Sequence, residues 1–258
     1  HMKFTIDPII FELFPDFNAG LVAMKGIDNL VQDRDIEAFL RHASLEAGLL
    51  MKLKPLASAH GVRSYRDVLE KLGAEGVPAM ERVIRELGEH IAAEQQAALA
   101  GQAEKRGPGS VTGLIGDTAL PRINPVRDLA RGAELQFRLP VFAFDMGDES
   151  EPLMLRRAKD GDAFTDGNGA EQAPEAEEIL FAMGSGVSVR HFFCEEGTAG
   201  AVVPETRNVL VVLPCFGATR RKAMSVRNEL ARRMKDSFGR TAETAWLDSR
   251  TTEFVSEI

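Results

Sequence analysis

Cysteine is scarce in this chain. Two occur in 258 residues, Cys194 and Cys215, too few for a disulfide framework and without the paired spacing of a metal site. Long apolar runs are missing too: none reaches the roughly 18 residues that span a bilayer, so no membrane partner is expected. The first residues carry no charged-then-apolar signal pattern, and these absences together predict a reduced, cytoplasmic protein. No glycine-rich phosphate loop and no nucleophile elbow occurs. His42, His60, His90 and His191 are scattered, without zinc-ligand spacing. Asp160 and Asp162 resemble the opening of a calcium loop, but Phe164 and Thr165 stand where the third ligand and the glycine belong. Neither a metal nor a cofactor is expected.

What is present is an ordinary globular composition, 44% apolar and 27% charged, in a chain long enough to bury a core without cross-links. The net charge of −8 argues against indiscriminate coating of nucleic acid, and no DNA partner is expected. The charge is unevenly spread. Between Arg220 and Arg240 lie eight basic side chains against Glu229 and Asp236, a local +6 that leaves −14 for the remainder. That stretch reads either as a solvated helix face or as a surface turned toward phosphates.

Periodicity predicts mixed helices and strands. Leu21–Gly26 reads as a buried strand, and Ile36, Phe39, Leu40, Ala43, Ala47 and Leu50 fall at helical spacing behind a cap at Asp33 or Asp35. Further short helices are predicted after Ser64 and after Pro78, and 101–119 as a mobile connection. A helix should start near Pro125 and end before Leu139-Pro140. Val141–Phe144, Ile179–Met183, Val187–Phe193 and Val209–Leu213 read as strands, with turns at Asp160-Gly161, taken as a hairpin, and at Asn168-Gly169. A final amphipathic helix buries Val226, Leu230, Met234 and Phe238. Without regular βαβ alternation the class is α+β, with a mixed or antiparallel sheet and packed helices, as a single domain over 3–258 carrying an insertion around 101–119.

Two stretches say more than their composition. Leu120-Pro121-Arg122-Ile123-Asn124-Pro125-Val126-Arg127-Asp128-Leu129, followed by Leu139-Pro140-Val141-Phe142-Ala143-Phe144-Asp145, is the first; Val203-Pro204-Glu205-Thr206-Arg207-Asn208-Val209-Leu210-Val211 is the second. They resemble the B3/B4 domain, the editing domain of the phenylalanyl-tRNA synthetase β-subunit. There an Asn-(Asn/Pro)-Val-Val-Asp segment opens a helix leading to Gln-Pro-Met-His-Ala-Phe-Asp, and a Val-x-x-x-Thr-x-Asn-Val-Leu segment enters a strand. Leu153, Ala158 and Gly161 are similar to the family's hairpin, and Phe14-Pro15-Asp16-Phe17 to its stand-alone members.

The resemblance implies a B3/B4-like fold and hydrolysis of an aminoacyl ester on tRNA. Such an ester is already activated, so placing a water and stabilising the oxyanion suffices. Carried over position by position, the family's histidine becomes Phe142, its Thr-Asn pair becomes Ala130-Arg131, and its glutamate becomes Val212. The glycine pair falls at about Glu196-Gly197. A more apolar wall follows, poorly suited to a tyrosine hydroxyl and better suited to an aliphatic or methionine-like side chain. The expected pocket comprises Asn124, Phe142, Glu195, Gly197, Thr206 and Val212. Arg131, Glu196 and His191 are the expected catalytic groups, and Arg220, Arg221 and Arg232 the expected tRNA contacts. A rim ion pair between Arg131 and Glu196 is the competing reading. The implied activity is that of a trans-acting aminoacyl-tRNA deacylase, with aminoacyl-tRNA and an aminoacyl-tRNA synthetase as candidate partners. The alternatives are a non-catalytic module binding tRNA or an amino-acid ligand, and a hydrolase of small amino-acid esters.

Overall fold

In the computed structural model the described residues are 1–53, 122–137, 139–149, 151–190 and 195–258. The predicted helices after Ser64 and Pro78, the 101–119 connection and His191 lie outside them.

The fold is α+β, built as two facing sheets with helices on the outer side of the second. The first sheet runs in the order β12 (Glu253–Val255), β1 (Lys3–Ile6), β4 (Leu153–Arg157), β7 (Ile179–Met183), β8 (Gly186–Arg190), β5 (Ala163–Thr165) and β6 (Glu171–Gln172), with β9 (Glu195–Glu196) also on β8. It is mixed: β1 runs parallel to β4, and β5 to β8. The second sheet, β11 (Ala242–Leu247), β2 (Phe17–Met24), β10 (Val209–Phe216) and β3 (Phe142–Asp145), is antiparallel throughout. Its inner strands β2 and β10 are buried at every residue. This is why they read as unbroken apolar runs rather than as alternation. Pro214 is tolerated inside β10 because β3 pairs only with Val209–Val212, so beyond that point one edge of the strand needs no donor.

Period-two alternation assigns the two faces of the second sheet. Phe142 and Phe144 point toward the first sheet and meet Phe181, their ring centroids 5.8 Å and 5.3 Å from its own. Val141, Val209, Val211 and Leu213 point the other way, toward the helices. There lie α2 (Arg34–Leu53), α3 (Pro125–Phe137) and α4 (Arg220–Phe238), while α1 (Pro8–Leu13) lies against β4. Asp33 caps α2, its Oδ1 accepting from the amides of Asp35 at 2.7 Å and Ile36 at 3.2 Å. Gly132 lets α2 and α3 close on each other: a Cβ there would sit 2.8 Å from the Phe39 ring.

Helix α4 buries Ala223, Val226, Leu230 and Met234; Phe238 is only half-buried, because the helix stops one residue later at Gly239 in the left-handed region. Asp160-Gly161 makes a turn but not a hairpin. The strands it joins are not neighbours, since β4 pairs with β1 and β7 while β5 pairs with β8 and β6. What fixes this link is Arg156, whose guanidinium holds Asp162 with two bonds of 2.7 Å and 2.8 Å. Asn168-Gly169 does close a hairpin, between β5 and β6. After α4 the chain adds β11 and β12, and β12 pairs with β1. Among the described residues no helix is long and apolar enough to cross a membrane.

Candidate functional site

Three segments set far apart in sequence meet at the start of α3. Asn124 precedes Pro125 at the first helical position, and its Oδ1 accepts from the Arg127 amide at 3.0 Å, the N-cap that Asn-Pro encodes. Its Nδ2 donates to the Val202 carbonyl at 3.3 Å. Asn29 bridges the same two segments: its Oδ1 accepts from the Val126 amide at 3.0 Å and its Nδ2 donates to the Val203 carbonyl at 2.8 Å. Thr206 donates to Asp145 Oδ2 at 2.6 Å and accepts from the Val203 amide. Asn208 reaches the Gly147 carbonyl at 2.8 Å. The stretches carrying the two motifs therefore form one hydrogen-bonded unit, closed by the β3–β10 ladder.

Asp128, fully buried, organises the charges of α3. It accepts from the Ile123 amide at 3.0 Å, from Arg122 Nε at 3.0 Å and from Arg131 Nη1 at 3.3 Å. Arg131 is thereby held against its own helix, its side chain 12% exposed. Burial lowers its guanidinium from the ordinary value, with Asp128 acting in the opposite sense. The rim pair to Glu196 is made by Arg127 rather than Arg131, through Arg127 Nη2 at 3.4 Å. This corrects the expected Arg131–Glu196 pair by one helical turn.

The same stripe holds a group not read from the sequence. Glu134 lies seven residues after Arg127 and three after Arg131, so helical spacing puts all three on one side of α3. Its carboxyl is buried and accepts from the Val141 amide at 3.0 Å. Burial first, then the charge of Glu196, push it up to about 8, against the Val141 hydrogen bond, Arg127 and Arg131. The usable signal was the i, i+4, i+7 run of charges at Arg127, Arg131 and Glu134; Asn29 offered no local signal at all.

A folded carboxyl near 8 against an ordinary value of 4.5 binds its proton more tightly in the native state. The stability so contributed is full below about pH 4.5 and is lost as pH rises through about 8. Glu134→Gln keeps an acceptor for Val141 and cannot ionise. Wild-type stability relative to this variant should therefore fall across that window, by at most about 1.4 kcal/mol per pH unit. Urea unfolding at about pH 5, 7 and 9 measures it; a flat difference would mean Glu134 stays charged in the fold.

The other expected site residues divide between two places. Glu195 and Glu196 form β9, with Glu195 Oε2 3.9 Å from Arg190 Nε and the Glu196 side chain 50% exposed. Gly197 donates to the Ser188 carbonyl, and a Cβ on it would strike the Phe164 ring at 2.7 Å. Phe142 and Val212 are register partners whose side chains are buried between the two sheets. They face away from α3, so the structure does not bring them together with Arg131.

On α4, Arg220 sits over the Trp246 ring at 5.7 Å and Arg227 at the same distance. Arg221 is exposed and has no ion pair among the described residues. Arg232 differs: Glu229 holds it at 2.8 Å and Asp236 at 3.4 Å. The solvated-face reading therefore fits the second half of the helix, while Arg220 and Arg221 at its start have no acidic partner among the described residues.

No known family and no curated protein matches the chain. Among solved structures it is similar to an N-terminal fragment of the phenylalanyl-tRNA synthetase β-subunit from Pyrococcus horikoshii, at 9% identity and a TM-score of 0.39. The likeness is distant. It covers 94% of this chain and 50% of the fragment, so the chain spans half the length of that neighbour.

Proposed function

We propose that this chain is a trans-acting deacylase that hydrolyses the ester of mischarged aminoacyl-tRNA. The observation that carries the reading is the convergence of the two B3/B4-like motifs on the N-terminus of α3, beside a stripe of charged side chains. The reaction adds water across the ester, releasing the amino acid and a free ribose hydroxyl. Arg127 and Arg131 supply positive charge for a phosphate or a developing oxyanion, and Glu196 an exposed carboxylate for the α-ammonium or the attacking water. Glu134, largely protonated at neutral pH, adds little negative charge against the two arginines. Arg220 and Arg221 at the start of α4 take the RNA backbone.

A non-catalytic module for tRNA or an amino-acid ligand is the second reading, favoured by two observations. Arg131 is committed to Asp128, and the buried Cys215 thiol, pushed up to about 12 by burial, is no nucleophile at neutral pH.

The deacylase and the tRNA-binding form of the second reading both require salt-sensitive tRNA binding. Reversing Arg220 and Arg221 to glutamate should weaken it and flatten the dependence of log affinity on log salt by about 0.7–0.9 per lost phosphate contact. Reversing Arg232, already paired, should do less. Filter binding across a salt series decides; unchanged affinity in the double variant would remove α4 from the interface.

A further inference from the structure

A cleft of about 460 Å³ opens between α2, α3 and α4, apart from the charged stripe of α3. Its apolar floor is Ile36, Phe39 and Leu129, all buried. Three side chains on its wall keep hydrogen-bonding capacity that the described residues do not fill. Gln136 Oε1 is buried with no hydrogen-bond partner, a condition native proteins avoid unless something else satisfies the group. Arg233 lies 3.9 Å over the Phe39 ring and donates through Nε to Glu229 at 2.9 Å. That fixes the guanidinium plane and leaves its two Nη groups without an acceptor among the described residues. Asp35 lies at the mouth, and its carboxylate has no partner among the described residues.

The chemistry of these groups narrows the ligand. A rigid guanidinium fork suits a carboxylate held by two parallel hydrogen bonds. An unpaired carboxylate suits an ammonium, and a desolvated amide oxygen needs an N–H donor. The buried floor suits a short apolar group, as in ordinary small-molecule sites with few convergent polar groups. A bare phosphate fits poorly, because Asp35 and Asp236 also line the cleft. We infer that this cleft binds a small zwitterion of α-amino-acid type with an apolar side chain. Its carboxylate lies on Arg233, its ammonium on Asp35 and Gln136, and its side chain on Ile36 and Leu129. The site needs no RNA and stands or falls independently of the deacylase reading.

Calorimetric titration of the full chain without tRNA tests it, using L-leucine, leucinamide and 4-methylpentanoic acid as probes. L-leucine should bind, and each analogue lacking one charge should bind roughly tenfold more weakly, the loss of one charge-assisted hydrogen bond. Asp35→Asn, at an exposed position, should weaken L-leucine by a similar factor and leave 4-methylpentanoic acid unaffected. Arg233→Gln should erase the preference for L-leucine over leucinamide. Absence of L-leucine binding up to about 10 mM, equal binding of all three probes, or L-leucine affinity unchanged in the folded Asp35→Asn protein would each overturn the assignment.

Discussion

Asp128→Ala should both destabilise the protein and slow the proposed hydrolysis of aminoacyl-tRNA about 100-fold. Asp128 is fully buried and neutralises Arg122 and Arg131 while accepting from the Ile123 amide. Removing one partner of a buried pair leaves a charge uncompensated, at a cost of about 3–5 kcal/mol; the lower end applies because the Arg122 side chain is 38% exposed. The α3 stripe loses its anchor at the same time. A misplacement of about 1 Å in a positioned group costs on the order of 100-fold in rate, and that is the expected loss below the variant's melting temperature. Asp128 is a positioning residue, so the loss should fall on kcat more than on KM. Arg131→Ala should give a comparable rate loss with a smaller change in stability. Full activity in a folded Asp128→Ala protein would separate α3 from the chemistry.

Asp162→Ala should be at least as destabilising and should leave the chemistry alone. Arg156 and Asp162 are both buried and joined by a bidentate pair, with Lys159 donating its amide to the same carboxylate at 2.7 Å. The alanine variant strands the Arg156 charge with, among the described residues, only the carbonyls of Arg157 and Gly184 as acceptors, a loss of about 3–5 kcal/mol. Burial raises the Asp162 carboxyl, but the hydrogen bonds from Arg156 and the Lys159 amide, with the charge of Arg156, bring it below its ordinary value of 3.8. A depressed carboxyl stabilises the fold above its unfolded value, and that contribution is lost as pH falls through the folded one. Wild-type protein should therefore lose this advantage over Asp162→Ala below about pH 4. Denaturant unfolding measures both effects. An unchanged midpoint would show that the link between β4 and β5 is held by packing alone.

The contrast between these carboxylates shows what the sequence carries. Asp128 sits in a motif, four residues after the Asn-Pro start of a helix, with Arg122, Arg127 and Arg131 close by in the sequence. Asp162 was read only as part of a failed calcium loop. Its partner lies on β4, and nothing local announces a turn joining strands that are not neighbours. Amphipathic α3 and α4 and the apolar runs of β2 and β10 were legible because burial on one face, or on both, writes itself into periodicity. The half-exposed edge strand β11 and the three-residue β12 were not, because pairing across the sheet, and not local pattern, makes them strands.

The candidate site divides along the same line. Asn124 was expected to line the pocket and stands as a helix cap. Arg131 was placed on α3, but the arginine that pairs with Glu196 is Arg127, one turn earlier. Phe142 and Val212 were read as pocket wall by position in a motif, yet strand alternation turns both toward the first sheet. Glu134 went unread because a buried ionisable group cannot be told from a solvated one by type and spacing alone.

The most direct test is release of labelled amino acid from a panel of aminoacyl-tRNAs, with Arg131→Ala and enzyme-free reactions alongside. The account predicts rapid release from one or two charged tRNAs, with aliphatic or methionine-like amino acids first among them, and a rate near background for Arg131→Ala. No release across the panel while tRNA still binds would contradict the deacylase and leave the binding module.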